Sequence, residues 1–199
     1  MEFTFQYRGD LKANGSPQHK HELRRHFHIQ LAELWRQLPL SNRPHLKAEN
    51  PPQGKISLLQ QVGGFKFVPL VRSKIHAFAE LSVTMLRLGP PGAIISQGGD
   101  IDNRLKTLLD SLKIPENNAL PSGVLPSGDE DPFYCLLEDD RLVTKLSVST
   151  DRLLDAKSLS EVLLLIHVTT KHVEMIFANM GFETQLANYT LQTDRRSVG

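Results

Sequence analysis

The 199-residue sequence predicts an α+β (mixed α/β) domain with helices packed on one face of a mixed sheet. Three observations predict it. Two segments repeat apolar residues at helical spacing, and five others show the alternation or the short apolar runs of strands. These segments follow one another in the order β, α, β, β, α, β, β. Hydrophobic residues make up 40% of the chain and charged residues 23%, so the length suits one core, and a single domain over 1–199 is expected.

Residues 2–7 (EFTFQY) alternate polar and aromatic side chains and read as the first strand. Asn14-Gly15-Ser16-Pro17 is a turn that leads into a helix over 19–37, whose Leu23, Phe27, Leu31 and Leu34 form one core-facing stripe, with Trp35 packed beside them. The Pro-rich stretch 38–54 reads as loop or short helix. Strands are predicted over 65–71 and 77–88, with Pro69 placing the first at a sheet edge or near a strand end. Gly98-Gly99 leads into a second helix over 100–113, where Leu105, Leu108, Leu109 and Leu112 mark a buried face. Residues 114–131, with a repeated Leu-Pro-Ser-Gly, read as a mobile insertion, the commoner case, with a lid or substrate-guiding flap as the alternative. Strands follow over 142–149 and 161–169. The second (VLLLIHV) is apolar enough to predict a central position buried on both faces. The chain beyond Met180 reads as a loose tail.

Lys and Arg number 23 against 22 Asp and Glu, a net charge of +1, so no global field points to a polyanion or a membrane. The charge is nevertheless divided. Residues 1–99 hold 13 basic and 6 acidic side chains, and residues 100–199 hold 10 and 16. No uncharged run reaches the roughly 18 residues of a membrane span, the start does not read as a secretory signal, and a cytoplasmic protein is expected. The single Cys135 excludes an internal disulfide and any multi-cysteine zinc site. His19, His21, His26 and His28 read as a basic, partly solvated helix face, His167 as a satisfied core or edge histidine, and Gly63-Gly64 as a tight turn.

The chemistry concentrates in Asp100-Ile101-Asp102-Asn103-Arg104-Leu105-Lys106. Two carboxylates two residues apart converge on one point if the backbone there is extended, and a hard divalent cation relieves their repulsion. Lys106 then stands one helical turn on, and Asp110 a turn beyond that. The bland alternative is that Asp100 or Asp102 caps the helix. A second acidic group, Glu138-Asp139-Asp140, precedes a strand and could complete a metal site begun at the helix.

The pattern Asp100-X-Asp102-Asn103-X-X-Lys106, Leu109-Asp110-X-Leu112, a loop, then Asp139-Asp140-X-X-Val143 resembles the RusA family of Holliday junction resolvases. The resemblance implies a RusA-like fold and a homodimeric, Mg²⁺-dependent (or Mn²⁺-supported) endonuclease that resolves branched DNA. It assigns Asp100, Asp102 and Asp140 as catalytic, metal-holding aspartates and Lys106 as the catalytic lysine. It also makes segments near 38–66 and 114–131, and the ends, additions to the family pattern. Arg24, Arg25, Lys66, Arg72 and Lys74 are the candidate DNA-phosphate contacts. The alternatives are a non-catalytic branched-DNA-binding or phage accessory protein that keeps the fold, and a structural protein whose aspartates only cap helices.

Overall fold

In the computed structural model, which describes residues 1–88, 100–180 and 182, nine principal elements follow one another. They are β1 (Glu2–Asp10), α1 (Pro17–Trp35), β2 (Gln60–Val62), β3 (Phe65–Val71), β4 (Ala77–Arg87), α2 (Asp100–Leu112), β5 (Phe133–Leu137), β6 (Val143–Arg152) and β7 (Glu161–His172). The α+β class holds, but the strands divide into two sheets. A four-stranded sheet has the order β1-β7-β4-β6, with β7 antiparallel to both neighbours and β6 parallel to β4. A three-stranded sheet has the order β2-β3-β5, with β3 and β5 parallel.

The division explains one strand that the sequence pattern does not reveal and the position of one proline. β5 (FYCLL) is buried at all five positions, so it lacks the alternation that marks a strand. Pro69 sits in the central strand of the smaller sheet, two residues before the strand ends, which is the second of the two places expected for it. It is tolerated because β2 pairs only with residues 65–67, so β3 has lost that neighbour by residue 69 and needs no amide on that side. β7 is central, as expected, yet buried on one face only: Val162, Leu164, Ile166 and Val168 point into the core, while Leu165 is 39% exposed and His167 faces outward beside Thr4.

α1 begins where Ser16 accepts the His19 N–H at 3.2 Å, with Pro17 pre-set for the first turn. Phe27 meets Phe5 of β1 with ring centroids 5.4 Å apart, and Trp35 stacks on Tyr134 of β5 at 5.4 Å. The helix therefore joins the two sheets. α2 packs beside it through Leu108 and Leu112, with Leu105 and Leu109 partly buried against the same cluster. The 38–66 segment is part of that core, since Leu40, Leu46 and Leu58 are buried in it. At roughly 1.5–3 kcal/mol for each such side chain, these contacts hold the segment firmly.

The 114–131 segment is fastened at its far end. Arg25 grips the Glu130 carboxylate through Nε and Nη2 (2.6 and 3.1 Å) and reaches the Leu125 carbonyl at 3.4 Å. His28 Nδ1 accepts the Tyr134 N–H at 2.8 Å, so its proton must sit on Nε2, which donates to the Asp129 carbonyl at 3.1 Å. A fixed tautomer pins both sides of the Asp131-Pro132 turn, where a mobile insertion was expected.

Candidate functional site

At the start of α2, Ile101 is buried while Asp102 and Lys106 are exposed, and neither of the last two has a hydrogen-bond or ion-pair partner among the described residues. Asp102 accepts no backbone amide and so is not a side-chain cap. Asp100 opens the helix, and its side chain lies outside the described residues. Because the backbone is already helical at Asp100, positions 100 and 102 lie about 200° apart around the axis. The extended backbone assumed in the sequence reading is not the one present there. The Gly98-Gly99 turn also lies outside the described residues.

The other end of α2 is electrostatically closed. Lys20 reaches Asp110 at 2.7 Å, and Lys113 lies 2.9 Å from Asp140 and 3.7 Å from Asp110. The result is an alternating chain of two ammonium groups and two carboxylates. Burial is the largest single influence on Lys113 and works against its charge, but the hydrogen bond to Asp140 together with the charges of Asp140, Asp110 and Asp139 raises the pKa. Arg24, 2% exposed, donates to the carbonyls of Asp110 (2.8 Å) and Lys113 (3.3 Å) and so caps the helix C-terminus. Burial pushes its pKa down to about 10.

Asp140 therefore belongs to the C-terminal end of α2. Asp102 lies about 12 Å along the axis from Asp110, at 1.5 Å per residue. The acids next to Asp140 are also engaged. Glu138 takes Arg72 Nε at 2.9 Å and both donors of Ser73, at 3.0 and 2.6 Å. Asp139 is bound by Arg141, whose hydrogen bonds hold its carboxyl at about 2. Among the described residues no group of three His, Cys, Asp or Glu side chains could hold a metal ion. A hydrated Mg²⁺ requires only one or two carboxylates, and open Asp102 suits that need. Asp140 does not fit while Lys113 holds it.

The candidate DNA contacts also divide. Arg24 is corrected, since it is buried and caps α2. Arg72 is half-buried and held by Glu138 and by the Leu58 and Leu59 carbonyls. Both were expected at the surface because arginine usually is, but here each donates to backbone carbonyls within the fold. Arg25 is bound to Glu130, and Lys66 to Glu49 (3.3 Å) and Asp131 (3.4 Å). Lys74, exposed, makes only a 3.4 Å contact with the Ser57 carbonyl.

The solvated histidine face is corrected too, since His19, His21 and His28 are buried. His21 lies between Phe65 and Phe133, with ring centroids at 5.3 and 5.9 Å, and its Nε2 has no partner. Burial, reinforced by Arg24 and Arg25, holds its pKa down at about 4. Cys135 is buried, which pushes its thiol pKa far up, so it offers no nucleophile.

Two residues central to this arrangement were not anticipated. Lys113 was legible as the i+3 neighbour of Asp110. Lys20, 90 residues from its partner, left no signal in the sequence. No helix among the described residues is long and apolar enough to cross a membrane. Comparison with protein-family models, with curated proteins and with solved structures finds no match.

Proposed function

We propose that this chain is a Mg²⁺-dependent endonuclease that resolves branched DNA as a homodimer, in the manner of the RusA family its acidic pattern resembles. The observation that carries the reading is the pair Asp102 and Lys106. At the family's spacing, both stand exposed and uncommitted on the first two turns of α2. A structural carboxylate would be expected to be engaged, as those of Asp110, Glu138, Asp139 and Asp140 are. The ion would be held by Asp102 with waters completing its shell, since Asp100 stands about 200° away around the helix, and when bound it would supply a water of lowered pKa and a polarised phosphate.

The chain's own residues do the rest. Lys106, one turn from Asp102, offers an ammonium to the phosphate charge, and the amides at the helix N-terminus add to that positive field. Asp140, paired with Lys113 at the far end of α2, takes no part in holding that ion. A two-fold dimer would offer two such ends to symmetry-related strands.

A second reading is favoured by the Lys113–Asp140 bond and by the engaged state of the neighbouring acids. In it the chain binds branched DNA without cutting it. Incubating purified protein with a synthetic four-way junction separates the two readings. Nicking that needs Mg²⁺ and is lost in Asp102→Asn supports the nuclease. Retarded junction that stays intact at every Mg²⁺ concentration supports the binder.

A further inference from the structure

The carboxyl ends of the parallel strands β3 and β5 open into a cleft of about 810 Å³, whose walls include Glu138 and Asp139, the two residues before Asp140. Three carboxamides line it. Gln61 and Asn117 are free of hydrogen bonds among the described residues. Gln60 accepts from Arg72 through its oxygen at 3.3 Å, which leaves its NH₂ group available as a donor. Ile114, Pro115 and Leu142 supply apolar wall.

Charge selects the ligand. Glu116, Glu138 and Asp139 all border the cleft. Its arginine, Arg141, is already committed to Asp139 at 2.9 and 3.2 Å. A phosphate would meet mostly carboxylate here. A neutral, flat group with several donors and acceptors would instead find paired amides and aliphatic surface. Carboxamides match the edge of a nucleobase in this way.

We propose that this cleft receives an unpaired nucleobase of the bound DNA, its edge read by Gln60, Gln61 and Asn117, with the sugar–phosphate backbone left outside the acidic lining. The proposal rests on the DNA-acting reading above and adds to it a substrate feature, a base freed from stacking at or near the branch. An unpaired base at a discontinuity enters at lower cost than one pulled from a duplex.

The test uses full-length protein in chelator, so that no cutting intervenes, and a four-way junction with 2-aminopurine at the branch point. A junction with 2-aminopurine inside a paired arm is the control. The cleft lining holds no aromatic ring to quench the probe. Binding should therefore raise fluorescence for the branch-point probe and leave the control unchanged. Gln61→Ala with Asn117→Ala alters two exposed, unpartnered side chains and should fold normally. It should abolish the rise and weaken branch-point binding about tenfold, the effect of two lost hydrogen bonds. Junction binding without a fluorescence rise, or a rise undiminished in the double variant, overturns the base site and leaves the DNA-acting reading standing. No junction binding at all overturns both.

Discussion

The two ends of α2 carry similar charges in opposite conditions. At the N-terminal end Asp102 and Lys106 are exposed and have no partner among the described residues, while at the C-terminal end Asp110, Lys113 and Asp140 are tied to one another and to Lys20. The helix is the same and the residue types are the same. What differs is the surrounding chain. The C-terminal end abuts α1 and the end of β5, so its charges are half-buried and have to be matched, whereas Asp102 and Lys106 lie on the exposed face of the first turns, opposite buried Ile101 and Arg104. A matched carboxylate stabilises the fold, and an unmatched one is available for chemistry.

The largest expected effect is at the buried end. Arg24→Ala removes the cap from two α2 carbonyls and leaves them buried, which should cost about 3 kcal/mol in a denaturant titration. A loss below about 1 kcal/mol would mean that water replaces the guanidinium and that this end is less closed than described.

Acid should come next. The unfolded chain takes up imidazole protons near pH 6.5, whereas folded His21 stays neutral down to about 4, and burial also lowers His28 and His19. The unfolded state binds more protons across that window. Stability is therefore whole above pH 6.5 and falls as the pH drops toward 4, by roughly 3 kcal/mol for His21 alone. His21→Phe should flatten the profile, and an unchanged pH dependence would show that His21 protonates without opening the core.

Smaller effects sharpen the contrast between the two ends. Lys113→Met strands Asp140 and should cost about 1 kcal/mol. Asp102→Asn should change stability by less than about 0.5 kcal/mol, as for a surface side chain without partners. Equal costs at the two sites would erase the distinction between matched and unmatched acids.

Much of the fold could be read from the sequence because periodicity reports burial. Both helices lie within two residues of their predicted starts and ends, and the strand predicted over 77–88 is present, with Ala77, Ala79, Leu81, Val83 and Met85 on one buried face. β5 escaped because burial on every side erases alternation. Arg24 and the histidines were misplaced by residue type, although His21, Arg24, His28, Leu31 and Trp35 follow helical spacing and trace a second buried stripe. The acidic spacing was visible, but the state of each acid was not. Asp110 depends on Lys20, 90 positions away, and Asp140 on Lys113 across a 27-residue separation. Such pairings are properties of the fold.

The most direct test of the account is cleavage of a four-way junction by wild-type and Asp102→Asn protein in Mg²⁺, with melting temperature measured on the same samples. The account predicts nicking by the wild type alone, abolished by chelator, with the two melting temperatures within a degree or two. Equal cleavage by both proteins, or none by either, would contradict it.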